Sequence, residues 1–313
     1  MGADCQSCKE YPINPNLMKI LSFTAVAVVL CNLLTGSCSS KEDRICRLLQ
    51  YNIADGMWYD QFNNYDRFVQ WMQLQHPDIA AFCETATHWD AEKRKLQRGD
   101  SSRYLPDNLS RLASRWEHPY VAVGAFQDNY PVAVTSRFQF EFVRPIGGDS
   151  LSHGALHVKT RGVNYVVVHL WPQPYSLQDK DKTRSDNLGD STRVGEIRYI
   201  LRKTLYDPQF TDEKYWVMLG DFNTLSPVDS MYYTPTANYL IHHIVRNSYP
   251  CDAVAAFHPG KFVPSENRNK KRIDFVYCSE AMSHRLTGAH TLDDEFTRVA
   301  SDHKPTLVTF TER

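Results

Sequence analysis

Along this chain, acids, amides and imidazoles recur at the ends of apolar runs short enough to be strands. Arg47-Leu48-Leu49-Gln50-Tyr51 leads to Asn52, Ile79-Ala80-Ala81-Phe82-Cys83 to Glu84, and Val166-Val167-Val168 to His169. Trp216-Val217-Met218-Leu219-Gly220 leads to Asp221 and Asn223, with the glycine allowing a tight turn. Asp274 interrupts Arg272-Ile273-Asp274-Phe275-Val276, and Asp302-His303 comes just before the final run, Thr306–Phe310. A carboxylate or amide buried in a strand needs a partner, and several of them converging at one sheet edge suggest a site.

Further strands are expected at Tyr120–Val123, Val132–Val134, Ala155–Val158, Tyr165–Val168, Tyr215–Leu219 and Arg272–Tyr277. Phe62, Tyr65, Phe68, Val69 and Met72 step by three or four and predict one apolar helix face, stopped by His76-Pro77-Asp78. Val194, Ile197, Ile200 and Leu201 predict another. Helices punctuate the strands without strictly alternating with them, so hairpins mix with crossovers. That pattern suits an α/β (α+β) chain with two packed mixed sheets flanked by helices. No repeat or low-complexity linker follows residue 44, and 46–313 reads as one domain. The polar stretch from Trp171 to Asp190 is a long loop at a strand end, where binding loops tend to sit.

Composition narrows the function classes. With 15 Phe, 17 Tyr and 6 Trp the chain is not disordered. Its 35 Lys+Arg against 36 Asp+Glu give a net charge of −1, which disfavours strong non-specific nucleic-acid binding while permitting a local basic groove. The N-terminus reads as an address. Ile20–Leu34 is too short to span a bilayer as a helix, follows Lys19 and precedes Thr35-Gly36-Ser37-Cys38. That pattern resembles a bacterial lipoprotein signal with Ser in place of the usual Gly or Ala, and it implies lipidation at Cys38. Residues 1–37 are then an upstream extension and signal with a start at Met18, and 38–45 a tether. The expected product is exported and anchored to the bacterial envelope, in the periplasm or on the outer-membrane surface. A monomer is expected. Cys46, Cys83, Cys251 and Cys278 show no zinc-ligand spacing, and three of them lie in apolar runs as buried thiols.

The polar set is rich in hard oxygen ligands with two imidazoles, which favours Mg²⁺, with Mn²⁺ or Ca²⁺ as substitutes, over a thiolate-bound metal. A divalent ion beside acid/base groups suits attack on a phosphate ester. Tyr51-Asn52-Ile53, Cys83-Glu84-Thr85, Val168-His169-Leu170, Gly220-Asp221-Phe222-Asn223, Arg272-Ile273-Asp274-Phe275 and Ser301-Asp302-His303-Lys304-Pro305 follow in order. In that order the six resemble the endonuclease/exonuclease/phosphatase superfamily with its deoxyribonuclease-I-like four-layer sandwich.

The resemblance implies roles. Glu84 is the main metal ligand with Asn52 beside it and Asp302 in the metal's shell. Asp221, helped by Asn223, orients or deprotonates the attacking water, and His169 donates to a phosphate oxygen. His303 pairs with Asp302, and Asp274 orients a histidine, His169 being the expected one. Family members often carry an acid where Ala54 stands; Asp55, one place on, is left open. Arg137, after Val134-Thr135-Ser136, resembles a strand-end Ser-Arg that touches substrate phosphate. The cluster Arg268, Lys270, Lys271, Arg272 is a candidate anion attractor.

Trp58, Tyr59, Trp89 and Trp171 neighbour the strand ends and could stack on a base, a sugar ring or a headgroup, so Trp171 joins Arg137 as a substrate-binding candidate. The expected activity is hydrolysis of a phosphomonoester or phosphodiester. An extracellular nuclease and a catalytically silent binding lipoprotein are the alternatives.

Overall fold

Alternate residues of nearly every long strand turn to opposite apolar layers, and this builds the architecture. The computed structural model describes residues 44–85, 89–90, 95–96, 105–128, 130–177, 189–233 and 239–312. Cys38, Met18 and most of the tether lie outside the described residues, as does the middle of the loop expected at 171–190. Residues 45–313 form one compact unit.

The strands are β1 (Ile45–Asn52), β2 (Ile79–Cys83), β3 (Tyr120–Val123), β4 (Ala133–Ser136), β5 (Phe142–Ile146), β6 (Ala155–Thr160), β7 (Val163–His169), β8 (Trp216–Asp221), β9 (Cys251–Asp252), β10 (Asp274–Cys278), β11 (Leu286–Thr291) and β12 (Thr306–Thr311). One six-stranded sheet runs β11-β12-β1-β2-β4-β3 and the other β9-β10-β8-β7-β6-β5. A two-stranded ribbon joins Trp89–Asp90 to Lys95–Leu96. The main helices are α1 (Asp66–Gln75), α2 (Leu105–Ser114), α3 (Gly189–Lys203) and α4 (Leu240–Arg246).

Leu48, Ala81, Val134, Val158, Tyr165, Val217, Val276 and Val308 meet between the two sheets. Their neighbours point the other way: Leu49, Tyr51, Ala80 and Phe82 pack on α1 and α2 through Phe68, Trp71, Met72 and Leu112. Val166, Val168, Met218 and Phe275 pack on α3 and α4 through Val194, Ile197, Ile200 and Ile241. Strands apolar on both faces have to be covered on both, so the layers stack helix, sheet, sheet, helix, the four-layer α/β sandwich expected from the sequence.

The helix face expected to start at Phe62 starts later. Asn64 and Tyr65 are left-handed, at φ 50 and 59, so α1 begins at Asp66. Phe62 stays 82% exposed and touches Trp58 edge-on.

Register then gathers the polar strand ends. β1 and β2 are parallel with Asn52 opposite Cys83, so Glu84 follows beside Asn52. β7 and β8 are parallel with His169 opposite Asp221. β10 is antiparallel to β8 and starts at this same edge, Asp274 opposite Asp221. β12 is antiparallel to β1, which brings the segment before Thr306, including His303, to the end of β1. Gly220 sits at φ +136, and a Cβ there would lie 1.9 Å from the Val168 carbonyl oxygen. Only glycine allows β8 to approach β7 so closely at the strand end that carries Asp221.

Candidate active site

Four strand ends with the turns after them, and the segments that lead into β4, β6 and β12, enclose a cavity of about 240 Å³ lined by Asp55, Glu84, Tyr130, His153, His169, Pro172, Gln173, Asp221, Asn223 and His303. The Asn52 amide, fully buried, knits the two sheets together: its Nδ2 donates to Glu84 Oε1 and Asp221 Oδ2, both at 3.1 Å. Its Oδ1 accepts from the Ala54 N–H at 3.1 Å. Ala54, Asp55, Gly56 and Met57 are consecutively left-handed, at φ 44, 49, 70 and 58. Such a turn costs roughly 1–2 kcal/mol per non-glycine residue and persists where its surroundings hold it. Here it carries Asp55 to Glu84, whose Oε2 accepts the Asp55 N–H at 3.2 Å. Glu84 itself is left-handed, at φ 58, as is Asn223, at φ 49.

His303 is held on both sides. Its Nδ1 lies 2.7 Å from Asp274 Oδ2, and its Nε2 lies 3.7 Å from Asp221 Oδ2. Asp274 is anchored in turn by Gln50 Nε2, donating at 3.0 Å, and Ser265 Oγ, donating at 2.8 Å. Burial opposes protonation of His303, yet Asp274 and Asp221 outweigh it and raise its pKa well above the usual imidazole range. Asp221 moves upward too, chiefly because it is buried; His303 pulls it back and Asp274 adds to the rise. His169 has Nε2 at 3.9 Å from Glu84 Oε1 and 3.8 Å from Asp221 Oδ2. Burial, then His153 and His303, hold its pKa well below normal, so it is a neutral imidazole. Asn223 donates from Nδ2 to the Leu170 carbonyl at 2.9 Å, and its N–H donates to Asp221 Oδ1 at 2.9 Å, closing the turn after β8.

The structure thus brings Asn52, Glu84, His169, Asp221, Asn223, Asp274 and His303 to one place. Two expected pairings change. Asp274 orients His303, not His169. Asp302 does not hold the imidazole of His303: neighbouring side chains of an extended segment diverge, and Asp302 is turned to the rim, 30% exposed and 3.5 Å from Arg268. Trp171 flanks the cavity, its Nε1 donating to the Tyr175 carbonyl at 2.6 Å.

Arg137 does not reach the site. β4 is antiparallel to β2 with Ser136 opposite Ile79, so its far end lies at the start of β2, away from Glu84. There Arg137 bonds Glu117 Oε2 and His76 Nε2, both at 2.7 Å. Of the expected basic cluster, Arg272 is buried in ion pairs with Asp229 and Asp252, each at 2.7 Å. Arg268 and Lys271 instead line a polar recess of about 260 Å³ that shares Pro172 and Asn223 with the main cavity. The Trp89 side chain lies outside the described residues.

Sequence reasoning missed Gln50, Ser265, Tyr130, Asp128 and His153. Gln50 had a signal: a strand interior rarely buries an amide, and Gln50 stands two residues before Asn52, on the same face of β1. His153 had none, because it lies in a turn before β6.

The rim is clamped from α3. Glu196 Oε1 accepts from the Ser152 N–H and hydroxyl at 2.8 and 2.6 Å, and its Oε2 accepts the Trp171 N–H at 2.8 Å. Arg193 donates to the Trp171 carbonyl at 2.6 Å and pairs with Asp190 at 2.7 Å. One helix face thereby fixes both segments that meet over His169.

With this geometry in view, the profile of the Endonuclease/Exonuclease/phosphatase family matches residues 49–303. The chain belongs to that family. Phosphate-ester hydrolysis is the activity class of these enzymes. No curated protein matches the chain. Among solved structures, an AP endonuclease from Archaeoglobus fulgidus is similar over 85% of this chain and 99% of its own, at 17% identity and TM-score 0.60. A variant of the 3' phosphatase NExo from Neisseria, bound to product DNA hairpin, is similar over 85% and 99%, at 18% identity and TM-score 0.59. An endonuclease/exonuclease/phosphatase from Beutenbergia cavernae is similar over 86% of this chain and 72% of its own, at 17% identity and TM-score 0.54. At these identities the likeness is one of fold.

Proposed function

We propose that this chain is a divalent-metal-dependent phosphoesterase that hydrolyses a phosphomonoester or phosphodiester by attack of a water oriented by Asp221. The observation that carries the reading is the convergence of Asn52, Glu84, His169, Asp221 and His303 on one cavity.

The acidic side of the cavity fits a hard cation. Asp55 Oδ1 is buried without a hydrogen-bond partner, and burial, then Glu84 and Asp302, push the Asp55 pKa up to about 7. Acids crowded until they resist ionisation are what a cation with oxygen ligands relieves. Glu84 and Asn52 would hold it, with Asp55 and Asp302 beside them; bound Mg²⁺ or Mn²⁺ supplies charge neutralisation at the phosphate. Asp221, Asp274 and His303 also converge within 4.8 Å. The direct Nδ1–Oδ2 hydrogen bond between His303 and Asp274 suits them to holding a proton instead.

This chain's own residues supply the rest. Asp221, disposed by burial to take a proton, accepts one from water, and Asn52 and Asn223 fix its carboxylate. His303, held cationic between Asp274 and Asp221, stabilises charge on the phosphoryl oxygens. Neutral His169 donates a hydrogen bond from one ring nitrogen. The clamped 171–173 segment covers the cavity.

A nuclease of the same family is favoured as the second reading by the Arg268–Lys271 recess beside the cavity. Export and a lipid at Cys38 form part of the proposal, supported by Lys19, the apolar run and the small residues before the cysteine; the lipid-derived mass increment, absent in Cys38→Ala, tests it.

The deciding experiment offers the protein from Ser39 onward plasmid DNA, RNA, p-nitrophenyl phosphate, bis-p-nitrophenyl phosphate, sphingomyelin and inositol phosphates with Mg²⁺, Mn²⁺ or EDTA. EDTA-sensitive turnover that His303→Ala abolishes is expected. Metal-independent turnover, or none on any ester, overturns the reading, and retained phosphate binding without turnover supports a binding protein.

A further inference from the structure

A second Asp–His pair stands inside the cavity, and nothing in the reading above uses it. His153 is 3% exposed, lines the cavity, and stacks on His169 with ring centroids 4.2 Å apart at 24°. Its Nδ1 is bonded to Asp128 Oδ2, and its Nε2 is buried without a hydrogen-bond partner. Asp128 is itself held, because its Oδ1 accepts the Tyr130 N–H at 2.9 Å. The Tyr130 ring meets both imidazoles edge-on.

The backbone keeps His153 where it is. Gly154 adopts φ +77, and a Cβ there would sit 2.7 Å from the Ala125 carbonyl oxygen. On the other side, Ser152 is tied twice to Glu196. A buried imidazole fixed on three sides, with one nitrogen left unsatisfied, costs stability unless a ligand supplies the missing partner.

The other two imidazoles belong to the Glu84–Asp221 side of the cavity. The Nε2 of His169 lies 3.9 Å from Glu84 and 3.8 Å from Asp221, its Nδ1 is buried without a partner as well, and both nitrogens of His303 face carboxylates. We propose that His153, oriented by Asp128, binds a non-bridging phosphate oxygen and makes the site selective for a terminal phosphate over an internal diester. A monoester presents three non-bridging oxygens and a diester two. With Glu84's side of the cavity engaging one oxygen and the His169–His303 side a second, only a monoester has a third, charged oxygen for His153. A carboxylate on Nδ1 leaves Nε2 as the proton-bearing donor when the ring is charged, and hydrogen bonds to ionised partners are the stronger ones.

This inference rests on the phosphoesterase reading and specifies its substrate class. The test compares wild type, His153→Ala, His153→Gln and Asp128→Asn in kcat/KM for p-nitrophenyl phosphate and bis-p-nitrophenyl phosphate, and in inhibition by inorganic phosphate. The monoester-to-diester ratio is expected to fall about ten- to a hundredfold in His153→Ala, the loss of one hydrogen bond to a charged group. Phosphate inhibition weakens in parallel. His153→Gln, whose amide nitrogen can stand near Nε2, recovers part of both, and Asp128→Asn gives an intermediate drop.

An unchanged ratio, or equal losses on both esters with phosphate inhibition intact, overturns the role of His153 while the phosphoesterase reading stands. Wild type inactive with metal on both esters and on every other ester of the panel above removes the reading itself. Circular dichroism and the urea midpoint of each variant separate misfolding from lost recognition, with His153→Gln deciding if His153→Ala does not fold.

Discussion

Two buried charged clusters lie two residues apart on the chain and behave in opposite ways. Arg272 is 2% exposed, bonds Asp229 and Asp252 at 2.7 Å, and stacks over Phe275 at 4.6 Å. Asp274 belongs to the other cluster, where Asp221 and Asp274 face His303 and raise its pKa, and Asp55 and Glu84 line the same cavity. In the first, one guanidinium is bonded directly to two carboxylates. In the second, like charges crowd an open cavity and two carboxyl groups are driven toward their neutral form. Burial in direct ion pairs builds a scaffold, and burial of like charges around an open cavity marks a place where something else must bind.

The contrast can be broken at its stronger end first. Arg272→Leu strands Asp229 and Asp252 in the interior and is expected to destabilise by about 3–5 kcal/mol, read as a urea midpoint. A loss under about 1 kcal/mol would mean the scaffold cluster is not paired as described. His303→Ala is expected to lower that midpoint less than Arg272→Leu does, because Gln50 and Ser265 still hold Asp274, and to lower kcat on the order of a thousandfold, about 4 kcal/mol in barrier. If it instead unfolds the protein, the second cluster is scaffold too.

Metal sharpens the contrast further. Mg²⁺ at a hundred times its dissociation constant should stabilise wild type by about 2.7 kcal/mol and Glu84→Gln far less, measured by thermal melting. Equal gains in both would remove Glu84 from the metal site. Charge removal should also act differently at the two clusters. The folded-state pKa of Asp221 lies above its unfolded value of 3.8, so its ionised form weakens the fold at alkaline pH, and this cost fades as pH falls toward 3.8. Asp221→Asn in EDTA is therefore expected to gain about 1–3 kcal/mol at pH 8 and less at pH 4.5, while losing turnover. A lower midpoint at pH 8 would show the charge to be compensated after all. Smallest is Arg137→Ala, a partly exposed pair at the far edge, which should cost less than about 1 kcal/mol and leave kcat/KM within twofold.

What was legible in the sequence was periodic. Strands apolar on both faces announced two covered sheets, and polar residues at their ends announced an edge site, because both signals repeat along the chain. What was not legible depends on contacts between distant segments. Asp274 and His303 meet only because β10 and β12 start at the same edge in different sheets, so assigning the nearest acid, Asp302, to His303 was the local choice and the wrong one. Arg137 failed for a similar reason: a residue at a strand end lies at one sheet edge or the other according to strand direction, which the local pattern does not encode. Asp55 could not be placed because four left-handed residues in a row have no sequence signature beyond Gly56. His153 sits in a turn whose only mark is the glycine after it.

The opening strand β1 lies between β2 and the closing strand β12, and Ser301 Oγ donates to the Asn52 carbonyl at 2.8 Å. The two ends of the family-matched region are thus stitched together at the cavity itself. During synthesis, a growing chain that has already produced Asn52, Glu84, His169 and Asp221 still lacks the segment that completes the pocket. The complete pocket therefore forms late, when residues 301–311 emerge and add their strand, and a chain cut short before that point lacks both His303 and the strand that borders β1.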